Sequence, residues 1–460
     1  MNGTGNSQAA LDIAYQVHPQ TNLRLHDTRG PMIIERAEGA FVYDDGGQRY
    51  LDAMSGLWCV SLGYSDQALK DAVKAQIDEL PYFQLFAHRS NNPSIDLAAL
   101  LIEKAPVPMS KVIFQCSGSE ANDTAVKLAW YYWNSRGKPE KKKILALNRA
   151  YHGTGISSGS LTGLVNIHSQ FDLPLPGFLH TRCPHHYREG LEGESEEDFV
   201  ARLAQELEQL IVEEGPDTVA AFFAEPVMGT GGVVVPPEGY FAAVQKVLQR
   251  HEILLIADEV ICGFGRTGEY WGSTKFGIRP DMLTCAKSLS SAYLPVSAVM
   301  VSESIFEAMV EQSDRVGVFG HGYTYGGHPV CAAAAIAAIT RYEELDVVHK
   351  ARAMGQLLQD GLRQFVDHPL VGEVRGVGMM AGIELVQDKA TKAAFDPKRL
   401  VGGACSAFIQ DRGVISRNLI DTMAFSPPLI VSESEIDMIL EAVAGGLDDT
   451  LAWAKKEGLK

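Results

Sequence analysis

No stretch of the sequence is apolar over the length that a membrane-spanning helix needs. The first twenty residues also lack the basic end and the apolar middle of a secretory signal peptide. Both absences argue against a membrane-bound or secreted protein. We therefore expect a cytoplasmic protein without a membrane partner.

Basic residues are in short supply, since 40 lysines and arginines stand against 57 aspartates and glutamates, a formal net charge of −17. Nucleic acids favour a basic surface, so we expect no nucleic-acid partner. The 7 cysteines form no CxxC pair, which predicts free thiols in a reducing compartment. A metal-binding motif is also lacking. His185 and His186 are adjacent, but the sequence around them lacks the further ligands that a metal site needs, so we predict no metal site.

What the sequence does contain is a regular alternation of strand and helix patterns. Its 460 residues are enough for a large domain and a smaller one. Apolar runs ending at positions 115, 147, 224, 257 and 286 alternate with helical periodicity, which predicts an α/β fold with a mostly parallel sheet. Over roughly the last 115 residues, helical patterns beside two short strands indicate a separate α+β lobe with a small antiparallel sheet.

Three segments lie outside this alternation. The first 30 residues are polar and mixed, which suggests an arm that lies on a neighbouring chain. The turn signal at residues 44–47 predicts a small hairpin. Residues 174–197 are rich in proline, histidine, glycine and then acids, and we interpret them as an exposed excursion.

Two charged residues directly follow apolar runs in the middle of the chain: Asp258 after residues 253–257, and Lys287 after residues 282–286. Ligands bind at the carboxyl ends of strands in open α/β sheets. A lysine that loses solvation becomes neutral more easily and can attack a carbonyl group. Together the two residues suit a pyridoxal phosphate enzyme, in which a lysine holds the aldehyde and a carboxylate keeps the pyridine nitrogen protonated. Alone, they equally allow a surface lysine and an aspartate that caps a turn.

Ser117, Gly118 and Ser119 lie between a predicted strand and a helical pattern. Small residues let the backbone approach a ligand, and the first N–H groups of a helix attract an anion. The turn is therefore a candidate phosphate cradle, although such a sequence also serves as a simple helix cap. Tyr151 follows another strand and could stack on a flat ring, whereas Trp58 by itself would be a packing residue.

Residues 263–268 match the dinucleotide-binding pattern GxGxxG. That fingerprint should turn directly into an amphipathic helix, but the residues that follow have no helical periodicity. A nicotinamide-dependent dehydrogenase is therefore disfavoured.

A series of motifs, all in one order, carries a resemblance to a known family: GLWCVSLGY, SGSEANDTA, YHG, AEPVMGTGGV, IADEVICGFGRTG, CAKSLSSAYLP, HGYTYGGHP and AFSPPLIV. From about residue 27 to the C-terminus the chain resembles the class III pyridoxal phosphate aminotransferases, and within them the ω-transaminases that use amines and pyruvate. The resemblance implies fold type I, with a mostly parallel seven-stranded sheet in a large domain and a small α+β domain. It implies an arm and part of the small domain in residues 1–60, the large coenzyme-binding domain in residues 61–330 and the small domain in residues 331–460.

The resemblance also implies roles for single residues. Lys287 would hold pyridoxal 5'-phosphate and shuttle a proton, and Asp258 would pair with the pyridine nitrogen. The residues implied in coenzyme binding are Ser117, Gly118, Ser119, Tyr151, His152, Glu225, Asp258, Val260, Lys287 and, from the neighbouring subunit of a homodimer, Thr324. The residues implied in substrate binding are Trp58, Phe86, Tyr151, Thr230 and Arg417. Arg417 would move in for a carboxylate and out for an uncharged amine, a task that suits a bidentate guanidinium.

The chain departs from the family pattern at four positions. Ornithine and 4-aminobutyrate aminotransferases carry an arginine at the position of Ala424, where it pairs with the glutamate matching Glu225. Ala424 removes that pairing, which argues against those two compounds as preferred donors. Ser288 and Ala292 replace glycines, and Gly326 replaces a common serine, and these changes would alter the pocket or the phosphate site.

The resemblance predicts an aminotransferase that works in two half reactions with an amine or ω-amino acid donor and pyruvate or a similar oxo acid as acceptor. Two alternatives stay open. Related enzymes with the same coenzyme include an aminomutase, a racemase and a decarboxylase, and a more remote alternative is a coenzyme-binding protein without catalysis. The sequence also leaves open which amine is used and whether two dimers form a tetramer.

Overall fold

The structure, a computed structural model, describes residues 7–460 of the chain. Its strands, in chain order, are β1 Ile34–Glu38, β2 Phe41–Asp44, β3 Arg49–Asp52, β4 Lys111–Gln115, β5 Lys143–Leu147, β6 Phe178–Thr181, β7 Val219–Ala224, β8 Leu254–Asp258, β9 Met282–Cys285, β10 Ser297–Val301, β11 Val371–Val377, β12 Met380–Leu385, β13 Val414–Ile415, β14 Arg417–Leu419 and β15 Thr422–Phe425. Its α-helices are α1 Gln8–Tyr15, α2 Leu23–Arg29, α3 Ser55–Trp58, α4 Gln67–Glu79, α5 Asn92–Lys104, α6 Gly118–Ser135, α7 Ile156–Leu161, α8 Val165–His168, α9 His186–Glu189, α10 Glu196–Glu214, α11 Tyr240–Arg250, α12 Gly272–Phe276, α13 Glu303–Val316, α14 Pro329–Glu344, α15 Val347–Arg363, α16 Val401–Gln410 and α17 Glu433–Lys456. Short 3₁₀ turns are Pro216–Thr218, Lys287–Ser290 and Pro397–Arg399.

Within residues 7–460 the central sheet has seven strands in the order β4-β10-β9-β8-β7-β5-β6. Strand β10 runs antiparallel to β4 and β9, and the other paired neighbours are parallel. The predicted α/β fold with a mostly parallel sheet is therefore confirmed. None of the helices in these residues is both long and apolar enough to cross a membrane.

Helices cover both faces of this sheet. Successive residues of a strand point to opposite faces, and Leu255 and Ile256 of β8 belong to different apolar clusters. Ile256 packs in a cluster with residues of α6 and α13, whereas Leu255 packs in a cluster with residues of α10 and α11. Because both faces are covered, every residue of β7 and of β8 is buried.

The prediction of an exposed excursion at residues 174–197 is wrong. Within it, β6 pairs in parallel with β5 as an edge strand of the central sheet, and Cys183 and His185 are buried. The strand FLHT is short and half polar, so its apolar pattern gives little signal. Strand β10 and helix α13 were also missing from the prediction, although Ile305, Ala308 and Met309 of α13 are buried at helical spacing.

The described residues also form two smaller sheets. One is antiparallel, with the order β11-β12-β15-β14, as the pattern near the C-terminus predicted. The other contains the predicted hairpin β2–β3 and is extended by β13, which pairs in parallel with β3. The N-terminal segment thus shares a sheet with the last part of the chain, in keeping with the predicted domain division, which stays a prediction.

The sheet brings the ends of several strands together. Strands β5, β7, β8 and β9 are parallel neighbours, so their carboxyl ends lie along one edge. The residues at or just after these ends include Tyr151, Glu225, Asp258 and Lys287. This edge is where open α/β sheets bind ligands.

Candidate active site

A cavity of about 130 Å³ lies at this edge of the central sheet. It is lined by Gly118, Ser119, Asn122, Tyr151, His152, Gly153, Glu225, Asp258, Val260, Ile261 and Lys287. The lining thus combines one amine, two carboxyl groups and the beginning of helix α6.

Asp258 is the last residue of β8 and is buried. Its Oδ2 accepts a hydrogen bond from Asn122 Nδ2 at 2.8 Å and lies 2.7 Å from His152 Nδ1. Its Oδ1 accepts a bond from the Val260 backbone N–H at 3.0 Å. Thr284 donates in turn to Asn122 Oδ1 at 2.9 Å, which fixes the orientation of the amide. The carboxylate is therefore held in place before any ligand binds.

Lys287 begins the 3₁₀ turn after β9 and is partly buried, as predicted. Its φ of 50° lies in the left-handed region, an unusual conformation for a residue with a long side chain. Burial lowers the pKa of its amine, and the nearby carboxylate of Asp258 acts against that shift. The amine is thus available in its neutral, nucleophilic form more readily than an exposed lysine.

Helix α6 presents its N-terminus to the cavity. Ser117 is the N-cap: its side chain accepts a bond from the Glu120 N–H, and the Glu120 carboxylate accepts a bond from the Ser117 N–H. The next two N–H groups, of Gly118 and Ser119, have no intrahelical partner in such a helix. They form an anion site at the positive end of an 18-residue helix.

Two glycines keep this anion site open. A methyl group added at Gly118 would lie 3.0 Å from Val260 Cγ1, and one added at Gly153 would lie 2.5 Å from Ser119 Oγ. Gly153 also has a φ of 132°, which side chains disfavour. Any larger residue at either position would displace the walls of the cavity.

Glu225 is a second buried carboxyl group on the cavity wall. It accepts bonds from the backbone N–H groups of Tyr151 at 3.0 Å and Gly229 at 2.9 Å. Burial raises its pKa to about 7, with a smaller contribution from the charge of Asp258. The two carboxyl groups of the cavity thus differ in environment. Asp258 faces His152 and Asn122, whereas Glu225 bonds only backbone groups among residues 7–460.

The structure brings most of the predicted coenzyme-binding residues together but leaves several predicted site residues off the cavity wall. Among residues 7–460, those that line it are Gly118, Ser119, Tyr151, His152, Glu225, Asp258, Val260 and Lys287. Those that do not line it are Ser117, Thr324, Trp58, Phe86, Thr230 and Arg417. Their predicted roles therefore depend on ligands or a second chain and stay predictions.

The residues off the cavity wall differ in their surroundings. Trp58 is buried, and its indole N–H has no hydrogen-bond partner in the described part of the chain. Phe86 is 47% exposed, near Gly322, and Thr324 is exposed, with its carbonyl oxygen 2.8 Å from the Tyr82 hydroxyl. Arg417 is half-buried in β14, where burial lowers the pKa of its guanidinium and Tyr151 acts against that shift.

Asn122 is the main site residue that sequence reasoning missed. It lies one helical turn after Gly118, so the spacing i, i+4 places it on the same face of α6 as the anion site. That spacing was the available signal. Gly153 and Ile261 were also missed as lining residues, although they adjoin predicted residues in the sequence.

Glu259 follows Asp258 but points away from the cavity lining. It accepts bonds from the backbone N–H groups of Gly272, at 3.0 Å, and of Ser273. Burial raises its pKa to about 7, against the lowering effect of the bonds from Ser273. This acid therefore ties the turn after β8 to α12.

We expect Glu259→Gln to flatten the pH dependence of stability. A carboxyl group whose pKa is higher in the folded chain than in the unfolded chain stabilises the fold fully at pH values below its unfolded-state pKa. That contribution is lost as the pH rises through the folded-state pKa of about 7. At about 1.4 kcal/mol per pKa unit, wild type should lose roughly 2–3 kcal/mol more than the variant between pH 5 and pH 8. Urea unfolding across this range measures the difference. The exposed control Glu213→Gln should behave as wild type, and a variant curve parallel to wild type would refute the assignment.

Known proteins are similar to this chain over most of its length. The family "Aminotransferase class-III" matches residues 25–446. Gamma aminobutyrate transaminase 1, mitochondrial, of Solanum lycopersicum is 46% identical over 421 residues, which are 91% of this chain and 82% of the relative. Vanillin aminotransferase of Capsicum annuum is 45% identical over 421 residues, which are 91% of this chain and 92% of the relative.

Solved structures agree with these relatives. The ω-transaminase of Pseudomonas jessenii in complex with PMP has a TM-score of 0.96 at 53% identity, covering 97% of this chain and 99% of that one. A thermostable variant, PjTA-R6 W58M/F86L/R417L, engineered for asymmetric synthesis of enantiopure bulky amines, has the same TM-score and identity, covering 97% of this chain and 100% of that one.

Proposed function

The chain belongs to the class-III aminotransferases, and from this premise we propose that it moves an amino group from an amine or ω-amino acid to pyruvate or a similar oxo acid in two half reactions. The observation that carries the proposal is the meeting of the Lys287 amine and the Asp258 carboxylate in one cavity. Amino-group transfer is the activity of the family, and the acceptor and the donor are the proposed parts.

The coenzyme of this family is pyridoxal 5'-phosphate, and the cavity fits it. The free N–H groups of Gly118 and Ser119 suit a phosphate. A larger residue at Gly118 or Gly153 would fill the space beside these N–H groups. Lys287 supplies a partly desolvated amine for the aldehyde, and Asp258 supplies a fixed carboxylate for the pyridine nitrogen. When bound, the coenzyme supplies a ring that accepts electrons from the substrate carbon.

The proposed roles of the protein groups follow from their environments. Lys287 takes the proton from the substrate carbon that bears nitrogen and would hold it for transfer to the coenzyme, because a neutral amine is a base and a positioned base needs no additional histidine. The Asp258 carboxylate, fixed by the Asn122 and Val260 donors, holds a positive charge next to it. His152 and Asn122 position that carboxylate. Tyr151 and Val260 provide the walls between which a flat ring fits.

The proposed substrate residues are Trp58, Phe86, Tyr151, Thr230 and Arg417. The engineered ω-transaminase PjTA-R6 carries substitutions named W58M, F86L and R417L, and this chain has the unsubstituted residue types at the same numbers. Those substitutions accompany a change toward bulky amines in that enzyme, which supports an apolar, aromatic amine pocket here.

The identity of the amine donor is less constrained than the apolar character of the pocket. The buried Ala424 is the cross-strand partner of Arg417 in the β14–β15 pair, and an alanine there supplies no cation to Glu225. This argued against 4-aminobutyrate, yet relatives at 46% identity are named gamma aminobutyrate transaminases. We therefore keep 4-aminobutyrate among the candidate donors together with polyamines, β-alanine, taurine and arylalkylamines.

We propose that the chain acts as a homodimer. Exposed aromatic residues cluster on two segments that also carry Phe86 and Thr324: Tyr82 is 36%, Phe83 41%, and Tyr325 61% exposed. An apolar patch of this kind is typical of an interface. A neighbouring chain on this patch would explain why Thr324 lies off the cavity of its own chain. Light scattering that reports a monomer would contradict the proposed homodimer.

The cytoplasmic location stays a prediction, because relatives include mitochondrial and chloroplastic proteins.

A donor panel tests the proposed function. The purified enzyme, loaded with coenzyme, is offered each candidate amine with pyruvate, and the formation of alanine is followed. We expect alanine only when both substrates are present. Turnover of an amine without any oxo acid would instead favour a mutase or a racemase.

Arg417→Ala should weaken the acceptor half reaction more than donation by an uncharged amine. Arg417 is half-buried and makes no ion pair among the described residues, so a substrate carboxylate would supply its missing partner. A hydrogen bond to a charged group contributes about 1.5–3 kcal/mol, so we expect kcat/KM for pyruvate to fall by about 10- to 100-fold. Single-turnover measurements of the two half reactions give the two values.

Two control variants sharpen this test. Arg363→Ala removes an exposed arginine whose one ion pair with a described residue is to Asp360 of the same helix, and it should change neither half reaction. Arg417→Lys keeps the charge but loses bidentate geometry and should restore part of the loss. Equal losses in both half reactions would refute dual recognition.

A further inference from the structure

Within residues 7–460, two clusters of metal-ligating side chains lie outside the active-site cavity. One consists of His185, Glu373 and Glu384, so the fold supplies the further ligands that the sequence appeared to lack. Arg375 already lies 2.6 Å from both carboxylates, and Arg188 contacts Glu384. These arginines supply the positive charge, so this cluster is an ion-pair network and no place for a metal ion.

The other cluster, which we call the arm cluster, consists of Asp12, His18 and His26. Asp12 belongs to α1, His26 belongs to α2, and His18 lies in the connection between them. His18 Nε2 lies 2.9 Å from Asp12 Oδ2, and His26 Nε2 lies 2.9 Å from Asp12 Oδ1. Both imidazoles thus aim the same ring nitrogen at one carboxylate, with ring centroids 4.1 Å apart.

We propose that the arm cluster binds a divalent transition-metal ion, with Zn²⁺ as the best fit. Zinc binds histidine nitrogen and carboxylate oxygen at about 2.0–2.2 Å in tetrahedral geometry, which separates neighbouring ligand atoms by about 3.3 Å. The ligand atoms of the arm cluster all lie within 4.8 Å of one another. Small outward shifts of the two imidazoles would therefore make room for the ion.

The charge around the arm cluster suits a cation. Among residues 7–460, no lysine or arginine forms an ion pair with Asp12, in contrast to the arginines that neutralise the His185 cluster. The side chains are 15% exposed for Asp12, 29% for His18 and 10% for His26. Water can therefore complete a fourth coordination position. Because no described protein group bonds the other ring nitrogens, we expect an affinity on the order of micromolar rather than nanomolar.

The two helices joined by the arm cluster have little else to hold them. Helix α1 has 8 residues and α2 has 7, and neither contains a buried residue. Helices this short are marginal on their own, and most helical stability comes from packing an apolar face. Metal ligands from both helices and their connection would therefore order this arm, because binding energy at such a site becomes folding energy.

The test uses the coenzyme-loaded enzyme without an affinity tag. Calorimetric titration with Zn²⁺ should show one more bound ion per chain in wild type than in His18→Ala/His26→Ala. Titration with Co²⁺ should give the visible bands of a tetrahedral ion in wild type alone. His349→Ala removes a histidine that is 75% exposed and should leave both results unchanged. Hydrogen exchange in residues 8–29 should slow on adding Zn²⁺ to wild type only.

A second variant keeps the proposal testable if the double variant folds poorly. Asp12→Asn retains an oxygen that accepts bonds from the imidazoles but removes the anionic ligand. We expect it to weaken Zn²⁺ binding by at least about 10-fold, the lower end of the cost of even an outer-shell change. Equal Zn²⁺ binding by wild type and either variant would overturn the proposal. The arm cluster would then be a set of hydrogen bonds that joins the two helices and binds no ion.

Discussion

Replacing Lys287 with alanine should lower amino transfer between an amine and pyruvate by at least about 10⁴-fold. A positioned acid–base group contributes about 10²–10⁴-fold, and the same amine also holds the coenzyme. The environment of Lys287 suits both tasks, because burial lowers the pKa of its amine and its strained backbone holds the side chain just after the end of β9. Alanine formation under saturating donor and pyruvate measures the loss.

Lys275→Ala is the matched control, because it removes an exposed lysine from the nearby helix α12. This variant should retain wild-type activity. If the Lys287 variant still turned over at a rate near that of the control, the assignment of Lys287 as the proton-transfer group would be wrong. Borohydride reduction of the loaded enzyme provides a second readout, since the added mass should appear on Lys287 in wild type.

Asp258→Asn should lower kcat by about 10²–10³-fold while the folded state is retained. Removing one partner of a buried charge pair costs about 3–5 kcal/mol, and about 1.4 kcal/mol corresponds to a tenfold change in rate. Asparagine can keep its oxygen at the position that accepts the bond from Asn122 and loses the acceptor for the Val260 N–H, so the change removes the charge and one backbone hydrogen bond. Steady-state kinetics with the best donor measures the effect.

The control for this prediction is a carboxylate at the opposite edge of the same sheet. Asp281 precedes β9, and its Oδ2 accepts a bond from the Leu255 N–H of β8 at 2.8 Å. Asp281→Asn should reduce stability but leave kcat per folded chain unchanged. If both variants lost activity equally, the effect of Asp258 would be structural rather than electrostatic.

Local signals allowed the sequence to predict most elements around the site. Helix α6 begins where Ser117 and Glu120 form a reciprocal cap, and α17 begins in the same way at Ser432 and Glu435. Such caps and apolar periods act over a few residues, so they can be read without the fold. Strand β6 was missed because an edge strand needs less apolar sequence than a central one.

The site itself was only partly readable. Asp258 and Lys287 stand out because charged residues follow apolar runs. Asn122 does not stand out, since its function depends on a carboxylate 136 residues further along the chain. The arm cluster was not predicted either, because its two histidines and one aspartate come together only when two short helices fold back on each other.

The sequence by itself determined the alternation of strands and helices, the two charged residues at strand ends and the family to which the chain belongs. Only the tertiary structure decided which groups share a cavity and which stay outside it, as Trp58 and Arg417 do. The reason is physical: periodicity and capping are local, whereas burial, the pKa of Lys287 or Glu225 and the bonds that fix Asp258 depend on neighbours distant in the chain.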